Sequence, residues 1–491
     1  DSKIARSRRD SVGLYFQDDW KATPWLTLNI GIRYDYEPAF GSTDGKFATL
    51  NLETGKVIYS KDTDPALLAV LPYPYETGGS NRPYRADRLN FAPRFGFAWR
   101  LFKDNNTVVR GGYGMVYTSE NMYTTGYGSF AAPYSGQFVW QTRAAVRPAT
   151  DRVDRLVPVD QEPYQLPLTI PANPGSLFPT TPDYPTGNVQ HWNLGASRDL
   201  GGGIVFETSY VGSKGTNLNG LRPIRSYDNT LYTTVRANYA NWSTITFRTK
   251  GFDSSYHSWQ NKISRRFKNG LSFLGAYTWS HALAEASNDF IDDNLEGLDP
   301  DTALFVYKVI KTNADFDVRH RFTLSGSYDL PFGKGRQFGR NWNTVTNAIL
   351  GGWRLNMINT FQTGQPFTVR AANGRPPNRI CNGNLPSSER TPERWFDYSC
   401  FVNPPVANTN GDAPPNIIEG PDLLTFDFGL HKELRFTETM KLQLRGEVFN
   451  AFNRVNLLGP SVNNFVATSS GAMITRQRDN RSIQFGIRFL Y

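Results

Sequence analysis

The sequence predicts an all-β, membrane-spanning, antiparallel up-and-down wall of about thirteen long strands, part of a larger barrel. Three observations carry this. Apolar and polar residues alternate with period two over runs of about ten residues, long enough for a tilted strand to cross a bilayer. The polar sides of these runs hold full charges in mid-strand, as at Arg33, Arg445, Glu447 and Arg488. The connections alternate strictly between tight turns and long loops, which is how spanning barrels sort their two ends.

The runs can be taken in chain order. The first pair covers 11–21 and 25–37; in the second, Leu26, Leu28, Ile30, Ile32, Tyr34 and Tyr36 oppose Thr27, Asn29, Gly31, Arg33 and Asp35. At 90–101, Phe95, Phe97 and Trp99 alternate with Arg94, Gly96 and Arg100, and 107–118 follows after Lys103-Asp104-Asn105. The runs 188–198, 203–213, 255–267 and 270–281 continue the series. In 318–330, Phe322, Leu324 and Tyr328 oppose Arg321, Thr323, Ser325 and Asp329. The remaining runs are 352–367, 423–435, 439–450 and 481–491; the last alternates Ile483, Phe485, Ile487, Phe489 and Tyr491 with Ser482, Gln484, Gly486 and Arg488. The pattern turns Leu28, Ile30, Phe97, Leu442, Leu444, Ile483, Phe485 and Ile487 toward lipid, and Arg33, Arg445, Glu447 and Arg488 toward a lumen.

Short connections lie near Thr23-Pro24, 103–105, 199–202, Lys268-Asn269 and Thr437-Glu438. Pro331–Gly351 is of middling length but falls in the short series. Long loops cover about 39–88, 119–187, 214–254, 282–317, 368–422 and 451–480. With the last strand ending in the periplasm, the first runs inward from an extracellular loop. That start, and the odd strand number, lead us to expect the C-terminal portion of a longer barrel with its N-terminal strands missing.

Composition agrees. Among 491 residues, 14% are aromatic, with 43 Gly and 31 Pro, which disfavours both disorder and a coiled coil. No run approaches the roughly 18 apolar residues of a spanning helix. The net charge of +9 is spread along the chain without an arginine stripe, so nucleic acid is not an expected partner. The N-terminus has no apolar stretch of the kind a signal peptide needs.

Several segments together resemble the C-terminal barrel of Oar-like TonB-dependent outer-membrane receptors. They are Tyr15-Phe-Gln-Asp-Asp-Trp-Lys21, Trp25–Tyr34, Phe91–Phe97, Val109–Gly114, Ser209–Gly215, Asp317–Phe322, Arg394–Asp397, Arg445–Asn453 and Phe485–Tyr491, in order over nearly the whole chain. The resemblance implies a barrel of about 22 strands around a plug. It further implies import of a bulky nutrient with energy relayed by TonB, and residence in the bacterial outer membrane. No plug and no TonB-contacting segment is found, so TonB would act through the missing plug. A passive porin or structural barrel, and a soluble β-rich glycan-binding protein, are the alternative readings.

Candidate sites follow from residue type and place. Phe489 and Tyr491 resemble the terminal signal read by barrel-assembly machinery; a plain lipid-facing stripe explains them as well. Tyr123, Tyr127, Tyr134 and Trp140 are loop aromatics suited to stack on a nutrient ligand, or to pack on one another. Cys381 and Cys400, the only cysteines, share loop 368–422, and we expect a disulfide there. Asp292-Asp-Asn-Leu-Glu-Gly297 has the start of a calcium loop, but its twelfth position is Ala303 where a bidentate Glu is needed, so a solvated acidic loop is expected. The five His are scattered and no hydrolase arrangement appears around His320, Asp317 and Ser325, so neither catalysis nor a cofactor is expected.

Overall fold

The computed structural model describes residues 6–69, 71, 73–102, 106–120, 176–181, 184–223, 233, 237, 244–285, 295–296, 308–309, 311–371, 376–405, 411–459 and 471–491. Among them, thirteen long strands form one antiparallel path in chain order. These are β1 (Val12–Thr23), β2 (Leu26–Tyr36), β3 (Phe91–Leu101), β4 (Thr107–Tyr117), β5 (Asn188–Gly201), β6 (Ile204–Pro223), β7 (Thr244–Lys268), β8 (Leu271–Ala284), β9 (His320–Asp329), β10 (Trp353–Gln362), β11 (Leu423–Arg435), β12 (Lys441–Phe449) and β13 (Ser482–Leu490). Two short strands, Ser176–Leu177 on β7 and Thr312–Asn313 on β8, are appended at the long-loop end. The sheet has no Greek-key crossing, and among the described residues no backbone pairing joins β1 to β13. The wall is therefore open, with both edge strands exposed.

A spanning strand such as β2, with 11 residues, rises about 37 Å and covers about 26 Å of bilayer when tilted near 45°. Three strands depart from expectation. The period-two pattern stops at 213 and resumes at 255, which predicts a loop over 214–254. Instead β6 and β7 run for 20 and 25 residues and stay paired out to Pro223 and Thr246. Backbone pairing does not end where the lipid-facing pattern ends: a hairpin can extend into water if each N–H and C=O still finds its partner. The extension carries register shifts between Gly215 and Gly220, where the ladder adjusts its twist. Conversely, 352–367 ends as a wall strand at Gln362, and Pro366–Phe367 belongs to a separate two-stranded sheet with Ile418–Glu419.

Register fixes the faces. Leu28 pairs with Phe97 and Ile30 with Phe95; Leu442 pairs with Phe489, Leu444 with Ile487 and Val448 with Ile483. Arg445 opposes Gly486 and His431, Glu447 opposes Gln484, and Arg488 opposes Gln443 on the other face. The apolar rows are exposed or half-buried, with Phe485 at 85% and Ile487 at 77% exposed. A single sheet has no second layer to cover that face, and lipid is the solvent it is built for. Charged residues also reach the apolar side, at Arg198, Arg265 and Lys432. All three lie close to short turns, where a long side chain can carry its charge to the membrane surface. Nothing in the structure explains Asp18, which opposes Ile30 on the same side.

Burial is concentrated at the long-loop end. One cluster gathers Ala48, Leu50, Val57, Tyr59 and Leu68 from the β2–β3 connection with Phe247 of β7. A second gathers Phe367, Phe396, Phe401, Ile418 and Ile474 from the last two long connections.

Candidate functional site

The surfaces available to a ligand are the polar face of the wall and the loop layer above it. The polar face carries ion pairs in several places. In β9–β13 Asp329 binds Arg354 at 2.6 Å and Arg336 at 3.5 Å, and Glu433 binds Arg435 at 2.7 Å. Glu447 takes hydrogen bonds from His431 at 3.3 Å and Gln484 at 2.5 Å. These pairs are partly exposed, so each contributes at most about 1 kcal/mol and serves mainly to set a wettable inner surface. In β1–β4 Arg33 binds Asp35 at 2.7 Å, and Lys21, Arg100 and Arg110 line one cleft. On the same face Gly96 pairs directly with Gly112, and the side chains of Asn29 and Asn193 stand beside this gap.

The loop layer is tied down by cross-links between distant segments. Cys381 and Cys400 are joined by a disulfide, with Cα atoms 4.9 Å apart. Cys400 ends a 3-10 turn capped by Asp397, whose carboxylate accepts from the Ser399 amide at 3.1 Å and the Ser399 hydroxyl at 2.6 Å. The Ser399 hydroxyl, then the Ser399 amide and Arg394, hold the Asp397 carboxyl below its ordinary range against a smaller desolvation effect. Trp395 donates its indole N–H to the Glu419 carbonyl at 2.7 Å, and Arg390 binds the Glu419 carboxylate at the same distance. Where the loop leaves the wall, Gly364 and Gly420 meet backbone to backbone; a Cβ on Gly364 would stand 1.9 Å from the Gly420 oxygen.

A second knot was not visible in the sequence. Glu120, just past β4, is buried with Lys250 of β7 in an ion pair and accepts from Asn219 at 2.9 Å and Tyr184 at 3.4 Å. Arg9 donates to its carbonyl at 3.0 Å, and Tyr84 stacks on Tyr184 at 4.4 Å. Burial, reinforced by the Glu120 charge, pushes both tyrosine hydroxyls up from their ordinary range. Five segments meet here, and no local spacing of residues announces any of the contacts.

Of the residues singled out from the sequence, Tyr123, Tyr127, Tyr134 and Trp140 lie outside the described residues, as do Asp292, Asp293, Asn294, Gly297 and Ala303. Phe489 and Tyr491 stack at 6.3 Å at the end of the last strand, with Tyr491 almost fully exposed. His320 binds the Tyr277 hydroxyl at 2.9 Å, whereas Asp317 is engaged by the Ala282 amide and Arg319. His320 and Asp317 thus serve separate structural contacts. Among the described residues, no group of three or more His, Cys, Asp or Glu is placed to hold a metal ion.

The family described as "outer membrane beta barrel domain" matches residues 1–484. The chain belongs to that family. This barrel protein is therefore one of the bacterial outer membrane, and its open wall is a barrel wall. Among curated proteins, no sequence matches it. Among solved structures, the outer membrane transporter YddB from Escherichia coli is similar with a TM-score of 0.51 at 12% identity, over 98% of this chain and 45% of that one. The FrpB iron transporter from Neisseria meningitidis aligns at a TM-score of 0.46 and 11% identity, over 98% and 46%. The ferripyoverdine receptor of Pseudomonas aeruginosa aligns at 0.45 and 11%, over 98% and 38%. At such identities the likeness is one of fold. The barrel chain spans less than half the length of these transporters and receptors.

Proposed function

We propose that this barrel is the C-terminal portion of an Oar-like TonB-dependent receptor that imports a bulky nutrient through a plugged lumen. The observation that carries this reading is the thirteen-strand wall in chain order, with tight turns at one end and large, cross-linked loops at the other. The sequence resemblance and the shared fold of the YddB transporter support it. In this reading the long loops face outward and capture the ligand, with Tyr123, Tyr127, Tyr134 and Trp140 among the contacting aromatics. The polar wall contacts a plug that TonB rearranges, and Phe489 and Tyr491 present the last strand to the assembly machinery. No bond-making step is assigned to the chain, and the function is transport rather than catalysis.

The test uses the protein expressed from its complete reading frame. A plug encoded upstream, low conductance in planar bilayers and cross-linking to TonB in whole cells are expected. A complete frame without a plug, together with large stable channels, would overturn this reading in favour of a passive porin.

A further inference from the structure

The connection between β9 and β10 is out of place. The other described turns at that end are short, whereas this one runs from Leu330 to Gly352 and contains a helix, α1 (Thr344–Leu350). Asn343 caps it by accepting from the Thr346 amide at 2.8 Å. Register shows which side of the wall it covers. Trp353 pairs with Lys432, and Lys432 with Leu444, so Trp353 and Lys432 both lie on the apolar face. The Trp353 indole N–H donates to the Ile349 carbonyl at 3.0 Å. The Lys432 ammonium donates to the same carbonyl at 3.3 Å and to that of Gly351, and lies over the Trp353 ring. Lys432 is only 4% exposed although it is a lysine on a lipid-facing row. It satisfies carbonyls that the end of α1 leaves open and fastens the helix to the outside of the wall.

The segment also carries apolar side chains that nothing among the described residues covers. Val345 and Ile349, one helical turn apart, are 68% and 61% exposed. Leu350, Phe332 and Phe338 of the same segment are exposed too, the two rings 5.7 Å apart, as is Phe436 in the turn 436–440. Lys334 and Arg340 of the same segment are exposed, while Arg336 between them turns to Asp329 at the polar edge of the wall. We propose that Leu330–Gly352 is a membrane foot: it lies in the phospholipid headgroup zone at the short-turn end, with Val345, Ile349 and Phe338 reaching the acyl boundary and Lys334 and Arg340 at the phosphates. The occupant is lipid because the patch continues a surface that already meets lipid, through Trp353, Leu355 and Leu430. An apolar face bordered by cations is the pattern of an interfacial element. Lys432 is the positioning residue that holds the foot down. The inference needs only the outer-membrane location and is independent of what the barrel transports.

The test labels Ile349→Cys with an environment-sensitive dye in the full-length protein, reconstituted in vesicles of phosphatidylethanolamine and phosphatidylglycerol. Within residues 1–491 the two native cysteines are in the disulfide; with any cysteine elsewhere in the full-length protein replaced by Ser, the new thiol is labelled alone. Ser388→Cys, exposed in the long-loop layer, is the control. The Ile349 dye is expected to be quenched by nitroxides near the headgroup and shielded several-fold from aqueous iodide relative to the control. In Lys432→Met the shielding is expected to be lost while the barrel still migrates as a folded, heat-modifiable band; Lys432→Arg is expected to restore it. Equal iodide quenching at both positions in a folded barrel would overturn the proposal. Shielding from iodide without nitroxide quenching would also overturn it, in favour of a protein partner.

Discussion

The wall and the loop layer of this barrel are stabilised by opposite arrangements. Along the wall the large apolar side chains are outside: Phe485, Ile487 and Ile30 are all exposed, and the wall strands bury few hydrophobic side chains except near the long-loop end. In the loop layer Phe396 is fully buried between Phe367 and Phe401, and a disulfide closes the same segment. The difference teaches where each part finds its driving force. The wall satisfies its backbone by strand pairing and leaves apolar burial to lipid. The loops stand in water, so they need a core and cross-links of their own.

Four perturbations break or sharpen that comparison. The largest effect is expected for Phe396→Ala, which removes an aromatic ring from the loop core at a cost of about 3–5 kcal/mol. Hydrogen exchange should speed up across 396–401 while wall amides stay protected; equal loss in the wall would show that the two regions are one cooperative unit. Removing the disulfide by Cys381→Ala with Cys400→Ala should cost the loop layer about 3 kcal/mol in the chain-entropy model. Limited proteolysis within 376–405 reads this out, and unchanged cleavage would mean that the core alone holds the loop.

Third, Ile30→Arg on the apolar face should cost about 2–4 kcal/mol if near mid-bilayer, and Asn29→Arg on the polar face far less. Folding titrations of the intact protein in lipid compare them, and equal costs would refute the face assignment. The smallest effect concerns pH. The folded state holds the Asp397 carboxyl below its ordinary value, so its contribution is fully present above the unfolded value of about 3.9 and fades as pH falls through the lower folded value. Wild-type loops should therefore lose part of their protease resistance in strong acid, whereas Asp397→Asn should lack that component; identical acid profiles would remove Asp397 from the account.

Much of the wall is legible in the sequence by itself. Side chains alternate across a strand whatever its surroundings, so the faces of β2, β3, β12 and β13 follow from period two alone. The turn and loop rhythm then orders the strands, because neighbours in sequence pair when a tight turn leaves them no other partner. The same counting places Cys381 and Cys400 in one loop. Other features depend on tertiary contacts. The extended β6–β7 hairpin rests on backbone pairing, which carries no sequence period once lipid is left behind. The Glu120–Lys250 knot joins residues 130 positions apart. The place of α1 on the outside of the wall is settled by Lys432 and Trp353, two residues whose sequence neighbourhoods say nothing about each other. Local pattern fixes which way a side chain points; which distant group it meets depends on how the loops return over the wall.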